Sequence, residues 1–172
     1  MTRSDHKIKL IALTGVFAAL VYVVTMIHIP TGNGYTHAGD GVIYLAACLL
    51  PTPYAVAASA IGGALADGLS GFAEWLPATL VIKAITALFF SNKTKKIVCI
   101  RNILGVIPSL LLCVIGYSLY EAVFLLGNLS WSTITVAFAQ LPAYSLQVGA
   151  SAVLYIAIGT ILDKTNIKNK II

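Results

Sequence analysis

Polar residues are gathered at a few places along this chain, and the apolar runs between them define its elements. Met1 to Lys7 is polar, and residues 8–29 then supply about 22 mostly apolar positions, enough for one helix across a hydrocarbon core of roughly 30 Å. Pro30, with no N–H to donate, ends that run. TGNGYTHAG, residues 31–39, reads as a loop. Asp40 is placed to cap a helix reaching residue 50, which at 1.5 Å per residue is only about 15 Å long and too short to span alone. Pro51-Thr52-Pro53 turns the chain into a third helix over 54–69, whose small residues from Ala55 to Gly68 allow close backbone approach. SGFAEWLP (70–77) is a second loop, and a fourth helix covers 76–90 with Lys83 near its middle. Beyond the basic stretch SNKTKK (91–96) the pattern predicts helices over 103–126 and 131–162, separated by the turn GNLS. The expectation is one membrane domain over 1–172, an all-α bundle of six transmembrane helices.

Composition agrees with that class. Of 172 residues, 59% are hydrophobic and 10% charged, and the mean hydropathy is +0.92, far outside the soluble globular range. The net charge of +5 does not describe a nucleic-acid groove, because the basic residues are segregated. Arg3, Lys7 and Lys9, then Lys93, Lys95, Lys96 and Arg101, then Lys164, Lys168 and Lys170 all fall on one face of the predicted bundle. The positive-inside rule makes that face, and both termini, cytoplasmic. Residues 31–40, 70–77 and 127–130 then face outside. The N-terminal run is long and carries no AxA-type cleavage site, so a retained first span is expected rather than a signal peptide. Cys48, Cys99 and Cys113 lie in apolar surroundings without a CxxC pair, which indicates buried thiols and neither a disulfide framework nor a zinc site.

Lys83 is the one basic residue not explained by topology. Ionisable groups at bilayer depth cost roughly 2.5–3.5 kcal/mol even on the lenient scale, and they persist where they pair or bind something. The candidate site is therefore His37, Asp40, Asp67, Glu74, Trp75 and Lys83, together with Thr36, with Glu121, Gln140, Tyr144 and Gln147 available from the last two helices. Small-ligand pockets combine apolar and aromatic walls with a few orienting polar groups, and this set has that mixture. Each member also has a simpler explanation. Asp40 can be an N-cap, Asp67 and Lys83 a structural ion pair, Trp75 an interfacial anchor, and Glu121 a group reaching water. The histidines, His28 and His37, can be ordinary loop residues. Gln140 and Gln147, seven apart, fall near one helix face. On the first helix, Thr14 and Ala18, and Gly15 and Ala19, make a small-residue stripe suited to a neighbouring helix of this chain or of a partner.

Enzyme readings find little support: HExxH, G-x-S-x-G, an i,i+4 histidine pair and a Walker phosphate loop are all missing, and no cofactor or metal site is indicated. The stretch THAGDGVIYLAACLLPTPYAVAASAIGGALADGLSGFAEWLPATLVIK instead resembles the signature region of S components, the substrate-binding membrane subunits of energy-coupling factor (ECF) vitamin transporters. It is similar to the group holding riboflavin, hydroxymethylpyrimidine and pyridoxine types, in which T-H-x-G-D-x-V precedes a small-residue helix ending A-D and then W-x-P-x-T-L-x-x-K. The resemblance implies a six-helix protein that captures a vitamin or precursor from outside. It also implies partnership with a transmembrane coupling subunit and two cytoplasmic ATPases, and release of cargo by toppling in the membrane. The first-helix contact for the coupling subunit would map to Thr14, Gly15, Ala18 and Ala19. The compact polar set and short outer loops favour hydroxymethylpyrimidine or pyridoxine over riboflavin. The competing readings are a non-transporting membrane scaffold and, behind it, an intramembrane enzyme using Asp67 and Glu74.

Overall fold

The computed structural model describes residues 3–31 and 34–168; Lys170, counted above among the basic residues, lies outside them, as do Gly32 and Asn33. The first helix, α1 (Arg3–Met26), stops sooner than the apolar run suggests. His28–Thr31 (β1) and Gly34–His37 (β2) instead pair antiparallel, His28 opposite His37 and Pro30 opposite Tyr35. Pro30 removes a helix donor but is tolerated in an edge strand. The expected loop over 31–39 is therefore mostly a hairpin, and it adds a two-stranded sheet to an otherwise helical chain.

The short second helix, α2 (Asp40–Leu49), matches its expected length, and every one of its ten residues is buried. A segment too short to cross lipid is acceptable where protein surrounds it. Tyr44, Ile43, Cys48 and Leu49 on it join Val21, Ala55, Phe90, Ile97 and Tyr155 in the main apolar core. Around it, α1 packs along α3 (Thr52–Ser70), α3 along α4 (Leu76–Leu88), and α2 against α8 (Leu141–Lys164). The α1–α3 contact is close because of Gly62, where a Cβ would sit 2.5 Å from the Ala18 carbonyl oxygen.

Among the described residues three stretches are long and apolar enough to cross a membrane, Arg3–Met26, Ile100–Leu125 and Trp131–Lys164, and the last two are interrupted. The fifth expected helix is α5 (Ile100–Leu104), α6 (Val106–Tyr120) and a π turn over Glu121–Leu125. The sixth is α7 (Trp131–Phe138) and α8, parted at Ala139 and Gln140. Pro142, at the start of α8, cannot donate to the preceding turn and so breaks the run there. A capping box between Ser130 and Thr133 starts α7.

The two ends of the bundle are distinguished by what gathers there. Thr36 of the hairpin donates to the Ala143 carbonyl at 3.1 Å, while Asp163 near the other end of α8 accepts from the N–H groups of Ile97 (2.7 Å) and Val98 (3.0 Å). About twenty residues of helix separate these contacts, about 30 Å of rise, which is the thickness of a hydrocarbon core. At the Asp163 end, the Asn102 side chain holds the irregular segment 91–99, accepting from Ser91 N–H and donating to the carbonyls of Ser91 and Ile97.

Candidate ligand-binding chamber

The polar side chains of the apolar helices converge at the hairpin end. Helical spacing aims them there: Trp75, Thr79 and Lys83 stand four apart around the start of α4, Gly63 and Asp67 four apart on α3, and Tyr144 and Gln147 three apart on α8. Val21 and Thr25 of α1, Tyr35 and His37 of the hairpin, and Tyr117 of α6 complete the wall of one chamber. About 50 Å³ of it is open to the centres of water molecules.

A buried ion pair forms its inner end. Lys83 Nζ lies 2.6 Å from Asp40 Oδ1, and both residues keep 3% or less of their surface exposed. Gln147 donates from Nε2 to the other Asp40 oxygen at 2.9 Å, so the carboxylate is held from two helices. Lys83 Nζ also lies 5.4 Å from the centroid of the Tyr117 ring, within cation–π range. Gly63 makes room for the lysine stem, since a Cβ there would approach Lys83 Cγ to 2.9 Å.

Aromatic rings form the sides. Tyr117 and Tyr144 stack with centroids 5.6 Å apart and planes 22° apart, and Trp75 meets Tyr117 edge-on at 5.9 Å. Thr79 and Tyr117 share a hydroxyl hydrogen bond of 2.9 Å. At the mouth, the Tyr35 hydroxyl donates to Asp67 Oδ1, while Asp67 Oδ2 has no hydrogen-bond partner among the described residues. Tyr35 in turn packs on Phe72 at 4.8 Å and on His28 at 4.4 Å. His37 Nδ1 accepts from the Gly39 N–H at 3.0 Å, which assigns the ring proton to Nε2. Burial pushes His37 down to about 3, although the neighbouring Asp40 charge works in the opposite direction, so the ring is neutral. Flat rings on two sides, an ammonium and an amide at the inner end and an unfilled carboxylate oxygen at the mouth suit a small planar molecule with both donors and acceptors.

Of the candidate residues, His37, Asp67, Trp75, Lys83, Tyr144 and Gln147 line the chamber, and Asp40 stands directly behind Lys83 and Gln147. Asp40 is not an N-cap: α2 begins at Asp40, Gly39 occupies the cap position, and no side chain caps the end. Asp67 is not the partner of Lys83, because Tyr35 takes its carboxylate and Asp40 takes the lysine. Trp75 is 7% exposed, so it is a wall rather than an interfacial anchor. Three candidates fall elsewhere. Glu74 is exposed, and its backbone carbonyl accepts from Tyr120 at 2.6 Å; Glu121 is buried in the π turn and is not itself part of the lining; and Gln140 stands at the α7–α8 junction, outside the lining. Thr36 is buried and ties the hairpin to α8. On α1, Ala18 is buried against α3 and the Thr14 hydroxyl donates to the Leu10 carbonyl at 2.8 Å, whereas Gly15 and Ala19 are exposed.

Tyr35, Thr25, Thr79, Gly63 and Tyr117 are site residues that the sequence reading does not single out. Thr79 and Gly63 carry a usable signal, one helical turn from Lys83 and Asp67 respectively. Tyr35 carries none, because its place depends on the pairing of the hairpin. Among the described residues no group of three or more His, Cys, Asp or Glu could hold a metal.

Helices long and apolar enough to cross a membrane, surrounding a chamber of aromatic walls with a few polar groups, are the marks of a helical membrane protein. A sequence model described as the ECF-type riboflavin transporter, S component, matches residues 5–164, and the chain belongs to that family of transporter components. A search among curated proteins finds no match.

Proposed function

We propose that this S component binds a single-ring, water-soluble heteroaromatic vitamin or precursor, hydroxymethylpyrimidine or pyridoxine, from the outer side for ATP-driven uptake. The size of the chamber carries this reading. The space of about 50 Å³ open to water centres corresponds to about 3–5 waters at 10–15 Å³ each, or about 100–150 Å³ of liquid volume. That is the bulk of one substituted six-membered ring, and a three-ring flavin with its sugar-alcohol chain is several times larger. In this arrangement Tyr117, Tyr144 and Trp75 embrace the ring, Lys83 and Gln147 meet its acceptors, and Asp67 Oδ2 accepts from a hydroxyl or amino group.

The working assembly is a bundle of six membrane crossings with both termini cytoplasmic, joined to a coupling subunit and two ATPases. The exposed pair Gly15 and Ala19 supports the coupling contact on α1. Riboflavin is the second reading, favoured by the description of the matched family. Thermal-shift and calorimetric titration of the purified protein with all three compounds separates them. Stabilisation by a one-ring compound at micromolar concentration is expected; stabilisation by riboflavin alone, with yellow colour retained on purification, would replace this reading with the second.

A further inference from the structure

A second cavity lies at the opposite end of the bundle, where Asp163 anchors segment 91–99. Its volume open to water centres is about 340 Å³, much larger than that of the first chamber, and it is lined by Lys95, Lys96, Leu162, Asp163, Asn166 and Lys168. The chain builds this cavity by local structure. Helix α8 ends at Lys164, and Asn166 adopts a left-handed conformation (φ 52°), which asparagine tolerates and which turns the chain back. Lys168 then reaches Thr94, donating from Nζ to the hydroxyl at 3.3 Å.

Charge at this site is unbalanced. Asp163 is the one carboxylate in the lining, and both of its oxygens are engaged by the backbone N–H groups of Ile97 and Val98. Among the described residues Lys95, Lys96 and Lys168 make no ion pair. Lys168 keeps only 8% of its surface exposed, and burial lowers its affinity for the proton below the ordinary lysine value. A desolvated ammonium whose one nearby carboxylate is already held by two backbone N–H groups is under-compensated, and an anion in the cavity relieves it. The rule that places lysines on one side of a membrane accounts for their side, but not for their convergence on a hollow or for the burial of Lys168. Apolar surface accompanies the site, with Leu162 in the lining, Ile161 (61% exposed) next to it in the chain, and Ile100 (72% exposed) at the start of α5, four residues after Lys96.

We propose that this cavity binds a phosphate-bearing anion, namely the headgroup of an anionic phospholipid whose acyl chains lie along the exposed apolar faces of α5 and α8. Basic pockets between membrane helices are suited to such headgroups, each nearby lysine contributing about a fivefold change in affinity. Asn166 and Thr94 supply neutral hydrogen-bonding groups near the phosphate oxygens. The proposal is independent of which vitamin the first chamber takes.

The test titrates the delipidated, detergent-purified full chain with short-chain phosphatidylglycerol, phosphatidylcholine or inorganic phosphate, reading melting temperature and lipid adducts by native mass spectrometry. Phosphatidylglycerol is expected to stabilise saturably and phosphatidylcholine not to. The triple variant Lys95→Gln/Lys96→Gln/Lys168→Gln should weaken phosphatidylglycerol by about a hundredfold. Arg3→Gln/Lys7→Gln/Lys93→Gln, with the same charge loss elsewhere, should change it less than about threefold. Circular dichroism of both variants without lipid establishes that they fold, and Lys168→Arg should retain binding if the triple variant does not. Equal loss in the two triple variants, or equal stabilisation by both lipids, overturns the proposal. Saturable binding of inorganic phosphate with no preference for phosphatidylglycerol overturns the lipid source and leaves a free anion. Unchanged lipid binding with loss of assembly with the ATPase-bearing module assigns the lysines to an acidic protein surface instead.

Discussion

Removing Lys83 tests the chamber most directly. In Lys83→Met the stem is kept and the ammonium lost, so Asp40 Oδ1, which now has a cation at 2.6 Å, keeps only the Gln147 amide on its other oxygen, 2.9 Å away. Both residues are buried, so the few waters the chamber admits replace the missing charge poorly, and breaking a buried pair from one side costs about 3–5 kcal/mol. Asp40→Asn strands the ammonium and should cost a similar amount. The double variant Asp40→Asn/Lys83→Met contains neither charge, and the introduced carboxamide retains a carbonyl oxygen for Gln147. Its cost should fall at least about 2 kcal/mol short of the sum of the two single variants. Reversible unfolding in mixed micelles provides the measurement, followed by fluorescence of Trp75 beside the chamber in a Trp131→Phe background, since the chain has two tryptophans. A single variant that loses less than about 1 kcal/mol, or a double variant whose loss equals the sum, would refute the claim that this pair is desolvated and mutually dependent.

Two further outcomes follow from the same geometry. Gln147→Leu leaves Asp40 Oδ2 without its donor in a buried site, and should destabilise by about 1–3 kcal/mol in the same unfolding assay, with Gln147→Glu costing more because it sets a second carboxylate beside the first. For His37, the folded value near 3 lies below the ordinary 6.5, so the unfolded chain takes up a proton that the folded one refuses as pH falls below 6.5. Its contribution to stability is therefore complete above about pH 7.5 and declines toward pH 3. Between about pH 7.5 and 5.5 the loss is at most about 1.4 kcal/mol, an upper limit because the ring retains some exposed surface. His37→Gln should flatten that part of the stability profile, and an unchanged slope would show that the ring is solvated.

How much of this is legible in the sequence depends on whether a residue's position follows from helical spacing. Lys83, Asp67 and Gln147 stand out because a polar group in an apolar helix is conspicuous, and their i,i+4 neighbours are predictable from the same periodicity. Pairing is not, because Asp40 and Asp67 both lie within or beside apolar segments and only the three-dimensional path of α2 decides which one meets the lysine. The hairpin reads as a loop, since four-residue strands carry too few alternations to be recognised. The breaks in the last two long segments are signalled weakly by Pro142 and not at all at the π turn that holds Glu121. Glu74 draws attention by its charge alone, and a charged residue beside a turn has an easier route to water than to a cavity.

The enclosure of α2 by its neighbours has one more consequence. The carboxylate of Asp40 is carried on an element that touches no lipid, and the lysine that neutralises it points inward from the wall. Among the described residues, neither member of this pair is turned toward the surrounding hydrocarbon. Burial of the pair thus spares the surrounding oil any contact with an ion at that level.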